Sequence, residues 1–126
     1  MTVWVPQDVL AAVKPFLAAE MGVEVRQNIP PDYKASDPAF LLVANDGGPM
    51  AWPVATRPTL RLTAFAAGRT EAVRVAGKAM GLLLCRRVPG IAHVAPGMSI
   101  IDDRDDRTKA FFASTTVLIT LRTAAL

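Results

Sequence analysis

The run GRTEAVRVAGKAMGLLLCRRVP, from Gly68 to Pro89, admits one regular structure, a long helix. Thr70 is placed to cap its start, because a hydroxyl there accepts from a backbone N–H of the first turn. Glu71 follows at the positive end of the helix dipole. Val73, Ala76, Met80, Leu83 and Leu84 recur at three- and four-residue spacing and predict one apolar stripe. Glu71, Arg74 and Lys78 fall on the opposite side. Arg86 and Arg87 suit the negative dipole end, and Pro89-Gly90 stops the run. The rod is about 18 residues and about 27 Å long. Ala72, Ala76 and Ala79 keep part of it thin, so that a sheet can approach closely. Strand-like runs flank it at Thr59–Phe65 and Phe111–Arg122, which predicts a long helix laid across a small sheet.

The rest of the chain fills in that plan. Pro6 to Met21 predicts a first helix with Asp8 near its N-terminus, Gly22 closing it, and Val9, Val13, Phe16 and Leu17 on its apolar face. Pro15 removes a hydrogen bond in its middle and is expected to kink it. Val23–Ile29 alternates as a half-buried strand, and Ala39–Ala44 is apolar on both faces, as a buried strand is. Asn45-Asp46-Gly47-Gly48-Pro49 is a turn. Trp52 lies in a loop or short strand between prolines, either packed over a sheet edge or contacting another subunit; Trp4 anchors the extended N-terminus against a neighbour. Leu60, Leu62 and Ala64 alternate with Thr59, Arg61 and Thr63. Ile91–Ile101 holds a short strand broken at Pro96-Gly97. In Phe111–Arg122, Ala113, Thr115, Val117, Ile119 and Leu121 face one way; Ser114, Thr116, Thr120 and Arg122 face the other. The order α-β-β-β-α-β-β describes one α+β domain, a mostly antiparallel sheet covered by two helices.

A chain of 126 residues fits one core, and 52% apolar against 20% charged residues is a globular balance. No apolar run approaches the ~20 residues that span a bilayer, and the opening MTVWVPQDVLAAVKPFL lacks the marks of a signal peptide, so no membrane and a cytoplasmic site of synthesis and assembly are expected. Cys85, the one cysteine, reads as a small half-buried hydrophobe and rules out a disulfide within the chain. His93 is the one histidine, and no nucleophile motif accompanies it. Gly47-Gly48 lacks the frame of a phosphate-binding loop. No catalytic residue, metal or cofactor is therefore expected. The net charge of +3 is uneven: residues 1–60 carry four Lys/Arg against six acids, and the remainder ten against five. Dispersed bases interleaved with acids read as a solvated face or a polar subunit interface sooner than as a nucleic-acid surface.

Six charged residues then follow without interruption: Asp102, Asp103, Arg104, Asp105, Asp106 and Arg107, with Lys109 close behind. The spacing lacks the central Gly and final Glu of a calcium loop, and its own arginines offset the acids. It predicts a solvated hairpin tip between Ile100-Ile101 and Phe111. Fixed charges of both signs suit reciprocal contacts with a neighbouring chain. Trp4, Trp52 and this run are the candidate interface residues.

Several stretches together, IPPDYK, FLLVANDGG, and RPTLRLTAFA running into TEAVRVAGKAMGLLL, resemble tail terminator proteins of long-tailed bacteriophages, especially small versions from phages of actinobacteria. The resemblance runs from Val9 to Leu121 and rests on Arg57-Pro58, the aromatic Phe65 and the Gly47-Gly48 pair. Phe65 stands where relatives often carry tryptophan, and Pro15 inside the first helix is a second departure. The resemblance implies an α/β subunit that forms a hexameric ring on the last ring of the tail tube, at the head-proximal end of a virion tail assembled in the host cytoplasm. It implies the tail tube protein and a head–tail connector or neck protein as partners, genome DNA passing through the ring without specific binding, and no enzymatic activity. Two other classes stay open on the residues alone: a ring-forming connector or neck protein, and a small ligand-binding α+β domain, with a nucleic-acid-binding module a weaker third.

Overall fold

A computed structural model describes Met1–Leu126. Its helices are α1 (Val9–Met21) and α2 (Arg69–Cys85). Its strands are β1 (Trp4–Val5), β2 (Glu24–Arg26), β3 (Phe40–Asn45), β4 (Met50–Ala51), β5 (Ala55–Thr56), β6 (Thr59–Ala66), β7 (His93–Pro96), β8 (Ile101–Arg104), β9 (Phe111–Arg122) and β10 (Ala124–Ala125). The fold is the expected α+β domain with a mostly antiparallel sheet, and β2 beside β3 is its one parallel pair.

β9, twelve residues long, is the spine. Along one edge it pairs with β6 from Ala66↔Phe111 to Thr59↔Leu118, and then with β5 at Thr56↔Leu121 and Ala55↔Arg122. Along the other it pairs with β8 at Arg104↔Phe111 to Ile101↔Ser114 and with β7 at Pro96↔Val117 to His93↔Thr120. Gly97 sits at the join of β7 and β8, where a Cβ would collide with the Thr116 backbone, so glycine is required there. β3 and then β2 extend the sheet beyond β6. Both β6 and β7 run antiparallel to β9, and hence parallel to each other. The chain between them must cross over the sheet, and α2 is that crossover.

Both helices cover the same face. Val9, Val13, Leu17 and Met21 of α1 and Ala72, Val75, Ala76, Ala79 and Leu83 of α2 share one core with Leu41, Val43, Leu60, Leu62, Val117, Ile119 and Leu121. Burying each of the larger side chains contributes about 1.5–3 kcal/mol. Ala72, Ala76 and Ala79 are fully buried, which is the close helix–sheet approach the sequence predicts.

Local details differ from the sequence reading. The N-cap of α2 is Gly68, with no side-chain cap, so Thr70 lies inside the helix and Glu71 alone favours the first turn. The buried line of α2 is turned towards Ala72, Val75 and Ala79, leaving Val73, Met80 and Leu84 half-buried at its margins. Helix α2 stops at Cys85, before Pro89-Gly90, and this leaves the thiol exposed instead of half-buried. Helix α1 starts at Val9, three residues after Pro6, because Asp8 is the cap and its carboxylate accepts from the Leu10 N–H at 3.0 Å. Gly22 closes α1 in the left-handed region at φ 73°. The helix runs through Pro15, which occupies its exposed side.

Candidate functional site

The charged run is only partly a tip. Asp102, Asp103 and Arg104 belong to β8, and the turn proper is 105–110. Four successive exposed residues on an edge strand carry no apolar alternation, so their charge disguised them as loop. On the helix side of the sheet, Asp102 accepts two hydrogen bonds from Arg69 at the start of α2, at 2.8 and 3.3 Å. Arg104 donates from Nε to the Lys109 carbonyl at 3.2 Å and holds its guanidinium 5.5 Å from the centre of the Phe111 ring. Asp103 accepts from the Arg104 N–H at 2.7 Å.

Asp105 pins the turn. Its carboxylate accepts from the Thr108 hydroxyl at 2.6 Å and from the Thr108 N–H at 3.2 Å, while its own carbonyl accepts from the Lys109 N–H at 2.8 Å. The Thr108 hydroxyl is the main cause holding the Asp105 pKa below the ordinary carboxylate value, with the backbone N–H groups of Thr108 and Arg107 and the Arg107 charge adding to it. Lys109 adopts φ 63°, in the left-handed region. Asp106, Arg107 and Lys109 are exposed and make no ion pair. The turn is therefore internally tied and presents a few free charges of both signs.

Trp4 and Trp52 lie elsewhere. β1 pairs with β10 as Trp4↔Ala125 and Val5↔Ala124, just beyond the last residue of β9. The β4–β5 hairpin folds back so that Val54 accepts from the Thr123 N–H at 3.0 Å. Both segments thus lie at the C-terminal end of β9, where Trp4 is 43% and Trp52 53% exposed and Met50 and Val54 of the hairpin are exposed as well. Neither is a core residue, and Trp52 is open to solvent where a sheet-edge packing role would bury it. The candidate residues form two separate surfaces. The eleven steps of β9 put them about 36 Å apart, with an apolar, aromatic patch at one end and a tied, charged turn at the other.

Two further features escaped the sequence reading. Near the turn end, the loop 27–39 lays Tyr33 over Phe40 and Phe65, whose rings stack with centroids 5.1 Å apart. Beside it opens a cavity of about 560 Å³ carrying Glu24, Asp32, Asp37 and Glu71. Arg26 is its one cation, and Glu24 already holds it at 2.8 Å. The Tyr33 hydroxyl is buried with no hydrogen-bond partner; burial first, then the Asp37 and Glu71 charges, raise its pKa. At the opposite end a groove of about 760 Å³ runs along Arg86, Arg87, His93 and Arg122, with no carboxylate in its wall. A sequence signal did exist, the acid excess before residue 60 and the base excess after it, but not the pairing of distant segments that concentrates each.

No group of three or more His, Cys, Asp or Glu side chains is placed to hold a metal ion, and no helix is long and apolar enough to cross a membrane. No known family model matches the chain, and no curated protein matches it.

Proposed function

We propose that this chain is a non-enzymatic structural subunit of a phage virion, one that caps the head-proximal end of the tail tube as a six-membered ring. In that position it stops tube polymerisation and offers the outer side of the ring to the head's neck proteins. The resemblance of the segments from Val9 to Leu121 to tail terminators motivates the reading. The single observation that carries it is the separation of two unlike exposed surfaces at the two ends of β9. A capping ring needs this arrangement, because its subunits must meet different partners above and below. Exposed tryptophans suit the buried centre of such an interface, and free charges of both signs suit a selective contact.

The experiment is mass photometry of the purified chain together with tail-length measurement by electron microscopy in a phage lacking the gene. Rings of six, and restoration of uniform tail length by the supplied gene, support the reading. A ring of twelve turns it to a connector or neck protein, and a stable monomer without effect on tails overturns it.

A further inference from the structure

We infer that the acidic cavity between loop 27–39, β2 and the start of α2 is a guanidinium-binding site, and that its occupant is Arg87 from a second copy of this chain. The inference deepens the ring reading, on which it rests only for closure of the ring.

The cavity holds four carboxylates around one guanidinium that is already paired. Asp32, Asp37 and Glu71 make no ion pair within the chain. Tyr33, 8% exposed, lines the same cavity, and its hydroxyl lacks any partner. A buried polar group left unpaired is costly, and burial first, then the Asp37 and Glu71 charges, raise the Tyr33 pKa. A guanidinium drawn into the cavity meets the carboxylates that line it and sits against the wall that Tyr33 helps to form. The planar fork of arginine suits several acceptors better than the point charge of lysine.

No cation of the same molecule fills this role, but the other end of α2 presents one. Arg86 is held by Glu20 at 2.8 Å, whereas Arg87, exposed just beyond the helix, and Arg122 make no ion pair. Glu71 lies in the first turn of α2, and fourteen helical steps of about 1.5 Å put it about 21 Å from Cys85, with Arg87 two residues further on in extended chain. The two cannot meet within one chain. Unlike, complementary ends on one subunit make a head-to-tail contact, which closes into a ring where the rotation between copies permits and otherwise extends as an open chain.

The test is a charge swap on the full chain, read by sedimentation velocity, with thermal melting to show that each variant folds. Glu71→Arg alone and Arg87→Glu alone each weaken self-association about tenfold or more, and Glu71→Arg with Arg87→Glu together restores it to within about threefold. Raising salt from about 0.1 M to about 1 M weakens the wild-type contact as the screening length falls from about 10 Å to about 3 Å. Single reversals that associate like wild type, or a double variant weaker than both singles, overturn the contact while leaving a six-membered ring intact as a reading. Rescue by the double variant in open chains keeps the contact and overturns the ring. A wild-type chain that stays monomeric overturns the contact, and one that also leaves tail length unaffected overturns the ring as well.

Discussion

Val117, Ile119 and Leu121 of β9 are sealed beneath the helices, whereas Thr116, Leu118 and Thr120, one residue out of phase, lie on a face that no helix covers. The strand is the same, and so is its hydrogen bonding; only the covering differs. The crossover between β6 and β7 explains the asymmetry, since one connection lies on one side of a sheet. α1, reached from the other edge, packs beside α2. The second face is closed only at its turn end, where Tyr33 and Ala110 complete a small cluster with Phe40 and Phe65. Over the rest, Leu118 stays 43% and Ile101 53% exposed, and a two-layer domain of this size leaves that surface to solvent or to partners.

The sharpest way to break this comparison is a matched pair of truncations. Leu62→Ala on the helix side removes a fully buried side chain and is expected to cost about 2–5 kcal/mol. Leu118→Ala, on the adjacent strand but the open face, is expected to stay within about 0.5 kcal/mol. Urea denaturation of the two variants measures both. Equal losses would mean that the open face is covered by something within the chain.

A smaller effect tests whether the open face is specified or merely uncovered. Thr63 and Ser114 face each other there, with their hydroxyls 3.0 Å apart and their side chains almost buried. Removing one hydroxyl strands its partner, so Ser114→Ala is expected to cost about 1 kcal/mol. Removing both, as Thr63→Val with Ser114→Ala, is expected to recover most of that loss. A double-mutant cycle by denaturation reads the coupling; additive losses would show that the pair is not a unit.

The same contrast explains what was legible in the sequence. β9 and β6 were readable because a sealed face forces strict alternation, and their bounds emerged within a residue of those expected. The helix α2 was readable in extent, but its orientation was not. Ala72 and Ala79 are wholly buried yet carry little hydrophobic weight, so the larger Val73 and Met80 drew the stripe towards themselves. β8 was hidden because an edge strand exposed on both faces has no period to read. The two-residue strands β1, β4, β5 and β10 are held by register with distant partners, which no local pattern records. The site divides in the same manner. Exposed tryptophans and a charge run announce themselves, whereas the acid cavity needs loop 27–39, β2 and the start of α2 to converge around a hydroxyl that only packing can bury.

The smallest expected effect concerns the turn that closes the open face at its far end through the buried Ala110. Asp105 has its pKa lowered in the folded chain, chiefly by the Thr108 hydroxyl, so the fold favours its ionised form. Its contribution is therefore present above the ordinary carboxylate value of about 3.9 and is lost as the pH falls through the lower folded value. Thr108→Val keeps the shape of that side chain, which is 9% exposed, and deletes both hydrogen bonds of its hydroxyl, the one donated to Asp105 and the one accepted from the Ala110 N–H at 3.3 Å. In this variant Asp105 is expected to titrate nearer to the ordinary value, as followed by NMR of its carboxyl carbon. Amide exchange at Thr108, Lys109 and Ala110 is expected to quicken as the turn loosens and the buried Ala110 N–H loses its acceptor. An unshifted Asp105 would mean that the two backbone N–H groups and Arg107 hold the carboxylate without the hydroxyl. The Thr108 hydroxyl would then serve the turn only as acceptor for the buried Ala110 N–H.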